Sequence, residues 1–262
     1  MLRLFSLATT PRSLLHIRMS ETLSPVESAK RLAARRAIDE WVKDGQVVGI
    51  GSGSTIVYGI HRLAERVRDE GLRVQCVPTS FQSKILLAEL AIPITDLSVA
   101  PVLDVTIDGA DEVDRDLNCI KGGGGCHTLE KLVAQAAKIF IVVADGSKQS
   151  TRLGLHWRKG VPVEVLPVSY VVVSRALRAL GGEPRLRMAV AKAGPCVTDN
   201  GGLILDVEFG EIADPAELHA RIKSICGVIE TGLFPGMAAR AYFGKADGSV
   251  EVWDRPAAAL TQ

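Results

Sequence analysis

Three loops of this sequence carry residue types that phosphate and sugar chemistry requires, and the first is rich in glycine and hydroxyl groups. Ser52, Gly53, Ser54 and Thr55 lie between a predicted strand and a predicted helix. Glycine lets the backbone approach an anion closely, and a helix N-terminus offers free N–H groups. The dinucleotide-binding fingerprint needs a glycine where Ile56 stands, and no Walker-type GKS or GKT ends the loop. The loop therefore favours a single phosphate, the alternative being a tight strand–helix turn.

The second loop is the acidic run DGADEVD, which begins at Asp108 where a predicted strand ends. In one interpretation Asp108 and Asp111 hydrogen-bond sugar hydroxyls or move protons. In another the run is a solvated acidic turn, which is the fate expected for Glu112, Asp114 and Asp116. A third interpretation is a divalent-metal site, although no histidine lies nearby and the EF-hand spacing is absent. These residues alone slightly favour the solvated turn.

The third loop places four consecutive glycines between Lys121 and the start of a predicted helix. Such a run costs backbone entropy, and Gly122, Gly123 and Gly124 can form a concave nest of N–H groups for an oxyanion. Glu130 falls in the first turn of the helix, where the dipole favours its ionised form. An ionised carboxylate that faces a pocket is a candidate general base. The alternative is a glutamate on a solvated helix face.

Two further residues are candidates for contact with a ligand. Lys148 follows the next predicted strand and supplies another cation for a phosphate. His127 abuts the glycines and could reach a ligand, but it has no evident orienting partner. The other histidines that we considered are isolated in the sequence, so they carry no hypothesis.

Strands and helices alternate in the first half of the chain, and they position these loops. The apolar pattern predicts strands at 47–50, 73–77, 102–107 and 139–144, and helices that begin at Ser24-Pro25 and span about 80–90 and 128–138. This alternation predicts the α/β class, with a doubly wound, mostly parallel sheet covered on both faces. Ligands of such sheets bind at the carboxyl ends of the strands, where all three loops fall.

The second half of the chain has a different rhythm. It predicts a strand, a helix, two strands, a helix and a strand, at 161–166, 169–180, 185–191, 203–207, 215–225 and 228–231. That order is the ferredoxin-like α+β pattern. Two last strands, at 239–243 and 250–253, would form a closing hairpin or return to the first domain. We predict an α/β catalytic domain of residues 21–155 plus 233–255 and a smaller ferredoxin-like domain of residues 156–232.

Composition excludes several classes of protein. The 262 residues carry a formal net charge of +1 and are 47% hydrophobic, which indicates a globular chain without the basic block of a nucleic-acid or anionic-membrane partner. No apolar run approaches the roughly 18 residues of a membrane span. The five cysteines lack CxxC spacing and predict reduced thiols in a cytoplasmic protein. Residues 1–20 contain arginines and no acid, a composition that a disordered or organelle-targeting segment can have. Targeting to an organelle is therefore the alternative to the cytoplasm.

Taken in order, the loops resemble those of the A-type ribose-5-phosphate isomerases, and the animal form more than the bacterial one. The matching segments run from about Ser24 to Val252 and are GSGST at 51–55, TSFQ at 79–82, DGADEVD at 108–114, KGGGG at 121–125, VADGSK at 143–148, PVEVLP at 162–167 and AGPCVTDNGG at 193–202. Each motif alone is weak, whereas the ordered set is highly specific.

The resemblance implies interconversion of D-ribose 5-phosphate and D-ribulose 5-phosphate in the non-oxidative pentose phosphate pathway, with no cofactor and no metal. It implies that Glu130 is the general base of a cis-enediolate mechanism, that Lys121 stabilises the enediolate, and that Asp108 and Asp111 serve ring opening and hydroxyl binding. Substrate contacts are implied at Ser52, Gly53, Ser54, Thr55, Gly109, Ala110, Gly122, Gly123, Gly124 and Lys148. The implied partner is a small sugar phosphate, in a homodimer or homotetramer, with no nucleic acid and no membrane.

Two positions depart from the family pattern. His127 stands where the family usually has a small or apolar residue, and Leu129 stands where a polar one is usual. Both flank Glu130, so they bear on its placement and its pKa.

Other functions remain open at this level. A sugar-phosphate sensor would need a DNA-binding module, but the residues before the first strand predict one capped helix and not the two of a helix-turn-helix. A deaminase or lactonase on a related scaffold would favour a base positioned by histidine. A nucleotide-dependent dehydrogenase would need the missing fingerprint.

Overall fold

The computed structural model describes residues 23–255, so the predicted targeting segment at 1–20 lies outside the described residues. In chain order the helices are α1 (Pro25–Trp41), α2 (Ser54–Glu70), α3 (Phe81–Glu89), α4 (His127–Ala136), α5 (Tyr170–Ala179) and α6 (Pro215–Lys223). The strands are β1 (Val47–Ile50), β2 (Gln75–Pro78), β3 (Val105–Asp108), β4 (Glu112–Val113), β5 (Cys119–Ile120), β6 (Phe140–Asp145), β7 (Val161–Val165), β8 (Glu183–Leu186), β9 (Leu203–Glu208), β10 (Val228–Thr231), β11 (Leu233–Phe234), β12 (Arg240–Gly244) and β13 (Val250–Asp254).

The central sheet has six strands in the order β13-β12-β6-β3-β1-β2. Every neighbouring pair is parallel except the hairpin between β12 and β13. Strands β3 and β6 are buried along their whole length, as the continuous apolar runs of a sheet covered on both faces require. The predicted doubly wound, mostly parallel sheet is confirmed. Both placements predicted for the last two strands occur together. Strands β12 and β13 form a hairpin, and β12 also pairs with β6 of the central sheet.

Helix α1 packs closely on this sheet because its inner face is made of small residues. Its N-terminus is capped by Ser24, whose hydroxyl accepts a hydrogen bond from the Glu27 N–H at 3.3 Å. The buried residues are Ala29, Ala33, Ala34, Ala37 and Ile38. At Gly244 the approach leaves no space for a side chain, since a Cβ there would lie 1.9 Å from the Ala29 carbonyl oxygen. This contact fixes the position of Lys30, the next residue of the helix.

Residues 161–231 form a second layer with its own core. The strands β7 to β10 pair as an antiparallel sheet in the order β10-β7-β9-β8, with α5 after β7 and α6 after β9. Apolar side chains of the sheet and both helices, among them Val163, Leu205, Val173 and Ile222, form one cluster. The element order is strand, helix, strand, strand, helix, strand. The boundaries predicted for the two domains stay a prediction.

One strand of this layer is shorter than predicted. The sequence predicts a strand over 185–191, whereas β8 ends at Leu186. The chain then turns back on itself, because Ala189 donates its N–H to the Gly194 carbonyl and Met188 bridges to Pro195. Residues 188–195 therefore form a narrow projecting loop.

A small third sheet was not predicted, and it joins the acidic run to the glycine run. Strands β4, β5 and β11 have two residues each and pair antiparallel in the order β11-β5-β4. Two residues are too few to show a period of two. At its ends Asp111 donates its N–H to the Ile120 carbonyl and Lys121 donates to the Gly232 carbonyl, both at 2.8 Å. The sheet thus sets the spacing between Asp111 and Lys121.

Two compositional features can be compared with the structure. The five cysteines are free thiols. No helix within residues 23–255 combines the length and the apolar character that crossing a bilayer demands.

The close approach at Gly244 generates a stability prediction. We expect Gly244→Ala to lower the free energy of unfolding by about 1–3 kcal/mol, because the added methyl group meets backbone atoms that cannot rotate away. The matched control is Gly59→Ala inside α2, where a Cβ makes only ordinary contacts at 3.5 Å or more and helix propensity improves. Urea denaturation of both variants measures the difference. Equal stability of the two variants would contradict this account of the α1 contact.

Candidate active site

The loops at the carboxyl ends of β1, β3 and β6 converge with the glycine run around a cavity of about 610 Å³. Parallel strands bring these ends to one edge of the sheet. The predicted site residues that line the cavity are Ser52, Gly53, Ser54, Thr55, Gly109, Ala110, Asp111, Lys121, Gly122, Gly123, Gly124, Glu130 and Lys148. Asp108 is fully buried directly behind this lining. A cavity of this size suits a small polar metabolite.

Lys121 is the centre of the charged part of the site. Its ammonium Nζ lies 2.9 Å from Asp108 Oδ2, 3.1 Å from Glu130 Oε2 and 2.5 Å from the Gly109 carbonyl oxygen. The side chains of all three charged residues are at least 94% buried. Burial lowers the pKa of Lys121, but the two carboxylates outweigh it and raise the pKa above its ordinary value. The site therefore holds one permanent positive charge between two carboxyl groups.

Glu130 has an unusual protonation equilibrium. Burial raises its pKa to about 8, the neighbouring Asp108 carboxylate adds to the increase, and Lys121 opposes it. Burial and the Asp108 carboxylate therefore act against the helix dipole, which favours the ionised form of Glu130. A carboxylate with this pKa is a much stronger base than an ordinary glutamate and titrates close to neutral pH.

Asp108 is held rigidly at the end of β3. Its Oδ1 accepts hydrogen bonds from the N–H groups of Ser52 at 3.0 Å and Gly109 at 2.7 Å. The β1 loop reaches this carboxylate only because residue 51 is glycine, since a Cβ there would lie 1.8 Å from Oδ1. Asp108 Oδ2 and Glu130 Oε2 are buried and have no well-aligned donor, although both lie near Lys121. The Lys121 ammonium is therefore the charge that compensates both oxygens.

The glycine run forms a wall of N–H groups. Gly123 donates its N–H to Asp111 Oδ2 at 2.7 Å. The N–H groups of Gly122 and Gly124 make no hydrogen bond within residues 23–255. Burial raises the pKa of Asp111, while the Gly123 N–H and Lys121 oppose the increase. The run therefore offers free donors to an oxyanion beside a carboxylate that can bind a hydroxyl.

The end of the cavity at helix α2 has the character of an anion site. Helix α2 begins there after Gly53, which has a φ of +95° and no side chain that could cap the helix. The first N–H groups of α2 therefore remain free for a ligand. Lys30 Nζ lies 3.0 Å from Ser54 Oγ, and Lys148 lines the same cavity. Ser52 differs from its neighbours, because its hydroxyl is hydrogen-bonded to Thr79 and Ser80.

Several lining residues were missed by the sequence analysis. Lys30 comes from α1, and nothing in the helical spacing indicates that this helix borders the cavity. Gln82 accepts the Gly53 N–H at 2.8 Å and lies within the TSFQ motif, which was quoted without a role. Asp199 reaches the cavity from the second layer and accepts the Phe81 N–H at 3.0 Å. Each of these residues is brought in by tertiary packing.

His127 does not line the cavity, contrary to the expectation that it could reach a ligand. Its ring is fully buried behind the glycine run, where a Cβ on Gly122 would meet it at 2.7 Å. Nε2 lies 3.4 Å from the Glu230 carbonyl oxygen, and burial lowers the pKa of His127 to about 3. His127 is thus a neutral packing residue. Leu129 faces a separate apolar groove with Phe81 and Val133.

The acidic run is not a solvated turn, so the expectation for two of its members is wrong. Glu112 is fully buried and accepts N–H groups of Gly154 and His156 at 2.8 and 2.9 Å. Asp114 is 7% exposed and accepts two N–H groups and the side-chain amide of Asn118. Only Asp116 of the three is exposed. Within residues 23–255 no group of three or more His, Cys, Asp or Glu side chains is placed to hold a metal ion.

Comparison with known proteins agrees with the resemblance of the motifs. The family model of ribose 5-phosphate isomerase A (phosphoriboisomerase A) matches residues 75–248. The human ribose-5-phosphate isomerase is 53% identical over 236 residues, which cover 90% of this chain and 76% of the human protein. The chain belongs to the ribose 5-phosphate isomerase A family. The Dictyostelium discoideum ribose-5-phosphate isomerase is also similar, at 51% identity over 87% of this chain and 98% of that protein.

Solved structures of ribose-5-phosphate isomerases have the same fold. The Methanocaldococcus jannaschii ribose 5-phosphate isomerase A aligns with a TM-score of 0.82 and 43% identity over 87% of this chain and 99% of that chain. A D-ribose-5-phosphate isomerase in complex with phospho-erythronic acid aligns with a TM-score of 0.84 and 38% identity over 88% and 99%. This protein is accordingly an isomerase, and its membership of the ribose 5-phosphate isomerase A family supports interconversion of ribose 5-phosphate and ribulose 5-phosphate.

The burial of Glu130 has a consequence for stability. Its pKa in the fold, about 8, lies above the ordinary value of 4.5. Stability from this group is fully present below pH 4.5 and is lost as the pH rises through 8. Because glutamine does not titrate, we expect the unfolding free energy of Glu130→Gln to rise relative to that of the wild type between pH 5 and pH 9. Chemical denaturation at both pH values measures this change.

The matched control for this prediction is Glu89→Gln, at an exposed position of α3. We expect its stability difference from the wild type to be the same at pH 5 and pH 9. A pH-independent difference for Glu130→Gln as well would contradict the raised pKa.

Proposed function

We propose that this protein interconverts D-ribose 5-phosphate and D-ribulose 5-phosphate through a cis-enediolate, with Glu130 as the general base. The observation that carries the proposal is the buried contact between Glu130 and Lys121, which pairs a carboxyl of pKa about 8 with a fixed cation. Proton abstraction beside a carbonyl needs both a base and stabilisation of the negative charge that forms on oxygen.

The reaction begins with the open-chain aldose. The Glu130 carboxylate takes the proton from C2, the C1–C2 double bond forms, and the electron pair of the C1 carbonyl moves to O1. The Lys121 ammonium stabilises the resulting oxyanion, together with the free N–H groups of the glycine run. The hydroxyl proton passes from O2 to O1, the C2 carbonyl forms, and Glu130 returns its proton to C1. Atoms and electrons balance, so the steps consume no oxidant or reductant.

The remaining site residues bind the sugar and its phosphate in this proposal. Asp108 and Asp111 accept hydroxyl protons and assist ring opening. The N-terminus of α2, with Ser54, Thr55 and the ammonium groups of Lys30 and Lys148, holds the phosphate. A related isomerase was solved in complex with phospho-erythronic acid, which supports a phosphorylated sugar derivative as the class of ligand. That ligand is a phosphorylated sugar acid, whose carboxylate presents two oxygens at one end as an enediolate does.

The place of the protein in the cell is a further part of the proposal. The reaction belongs to the non-oxidative pentose phosphate pathway, and we expect it in the cytoplasm, carried out by a homodimer or homotetramer. Size measurement by light scattering and fractionation of the source cells would test these two expectations.

The role of Glu130 is tested by Glu130→Gln in an assay of ribulose 5-phosphate formation, with the protein treated with EDTA. We expect turnover to be abolished while the substrate dissociation constant stays within about tenfold, because uniform binding does not depend on the base. Glu89→Gln, at its exposed site, should retain wild-type turnover. Near-normal turnover of Glu130→Gln would refute the assigned base.

The phosphate site is tested by comparing ribose 5-phosphate with unphosphorylated ribose. We expect ribose to be a very poor substrate, because the binding free energy of the phosphate is then absent. Lys30→Met should raise the KM for ribose 5-phosphate and leave the KM for ribose unchanged, since Lys30 lies at the α2 end of the cavity. Comparable turnover of the two sugars would contradict the assignment.

A further inference from the structure

Arg187 comes from the second layer of the fold and contacts the backbone of the glycine run. Its Nη1 donates hydrogen bonds to the Gly122 and Gly123 carbonyl oxygens at 3.0 and 3.2 Å. The residue immediately follows β8, and its N–H bonds to the Ile204 carbonyl at 2.8 Å. Its side chain does not line the cavity, so its hydrogen bonds to the site are those to these two carbonyl groups, and its charge also opposes the rise in the pKa of Asp111.

The guanidinium group is itself held in place by Asp206 on the neighbouring strand β9. Nε lies 2.8 Å from Asp206 Oδ2, and Nη2 lies 2.5 Å from Oδ1. Both side chains are only 17% exposed. A two-point contact between the planar guanidinium and a carboxylate fixes the orientation of the group as well as its position. The remaining nitrogen, Nη1, therefore points at the glycine run from a rigid support.

The contact determines which way the N–H groups of the run point. In a trans peptide the carbonyl and the following N–H point in opposite directions. The Gly122 carbonyl faces Arg187, so the Gly123 N–H points away from it and reaches Asp111. The Gly123 carbonyl also faces Arg187, which turns the Gly124 N–H away in the same manner. The Gly122 carbonyl also accepts the Gly125 N–H at 2.9 Å, so the peptide between Gly123 and Gly124 is the one that depends most on Arg187. Glycine has the largest conformational freedom of any residue, so this peptide would sample many orientations without the contact.

We propose that Arg187 is a positioning residue for the isomerisation, which fixes two consecutive peptide planes of the glycine run so that the Gly123 N–H holds Asp111 and the free Gly124 N–H is oriented before the substrate binds. The inference rests on the proposed function. Oriented donors stabilise developing charge because no energy is spent on arranging them during the reaction. The effect of Arg187 should therefore appear in kcat more than in KM.

The experiment compares Arg187→Ala and Arg187→Lys with the control Arg185→Ala. Arg185 lies two residues earlier, on the edge strand β8, and pairs with Glu208 at 3.5 Å on the surface. We expect Arg187→Ala to lower kcat about 10- to 100-fold, somewhat less than the loss of a direct donor, with KM within about threefold. Arg187→Lys keeps the positive charge but lacks the planar guanidinium that bonds to Asp206 and to the glycine run together, so its kcat should be intermediate. Arg185→Ala should stay within about twofold of wild type.

A second readout separates positioning from a general loss of structure. The inhibition constant of inorganic phosphate should be unchanged in both Arg187 variants, because the α2 end of the cavity makes no contact with Arg187. A KM increase with unchanged kcat, or a kcat for Arg187→Ala equal to that of Arg185→Ala, would overturn the inference. If Arg187→Ala does not fold, the kcat of Arg187→Lys decides by the same criteria.

The activities of the wild type and of Arg185→Ala show whether the proposed function or only the positioning role has failed. If neither protein isomerises ribose 5-phosphate, the proposed function fails and the inference is overturned with it. If both are active and only the Arg187 variants lose kcat, the positioning role is supported.

Discussion

The structure of the site depends on a single buried ammonium group between two carboxyl groups. Lys121 lies within 3.1 Å of both Asp108 and Glu130, and removing it would leave two carboxyl groups buried together. Breaking such a pair by removing one partner typically costs about 3–5 kcal/mol. Backbone groups add to the compensation of the buried charges. The Gly109 carbonyl binds the Lys121 ammonium, and two N–H groups bind the Asp108 carboxylate. Burial, with the Asp108 carboxylate nearby, raises the pKa of Glu130 to about 8.

The second layer of the fold takes part in shaping this site from behind. The fully buried Glu164 on β7 accepts hydrogen bonds from the hydroxyl groups of Thr128, in the first turn of α4, and Thr198, beside Asp199. Lys131, the residue after Glu130, forms a buried ion pair with Glu230 at 2.8 Å. Helix α4 is thus attached on its far side to the second layer, and the glycine run is attached through Arg187. Arg187 binds backbone carbonyl groups of the glycine run, and the contacts to α4 are made by residues next to or near Glu130. The side chains that make these contacts do not line the cavity.

The sequence allowed much of this to be predicted where local pattern decides the outcome. Strand and helix alternation was enough to place Asp108 and the glycine run at one sheet edge. It could not show that Lys30 joins them, because the pattern of α1 says which face is buried but not what it packs against. It also could not show the burial of Glu112. The N–H groups that bond to the Glu112 carboxylate belong to residues about forty positions later in the chain. The two-residue strands that space Asp111 from Lys121 carry no periodicity at all.

The central claim is that burial, with the Asp108 carboxylate nearby, raises the pKa of Glu130 and makes it a base that titrates near neutral pH. The most direct measurement is a carbon NMR titration of the protein labelled with ¹³C at the glutamate side-chain carboxyl, with Glu130→Gln to assign the signal. The account predicts a carboxyl resonance that titrates near pH 8 and disappears in the variant. A Glu130 resonance that titrates near 4.5 would contradict it.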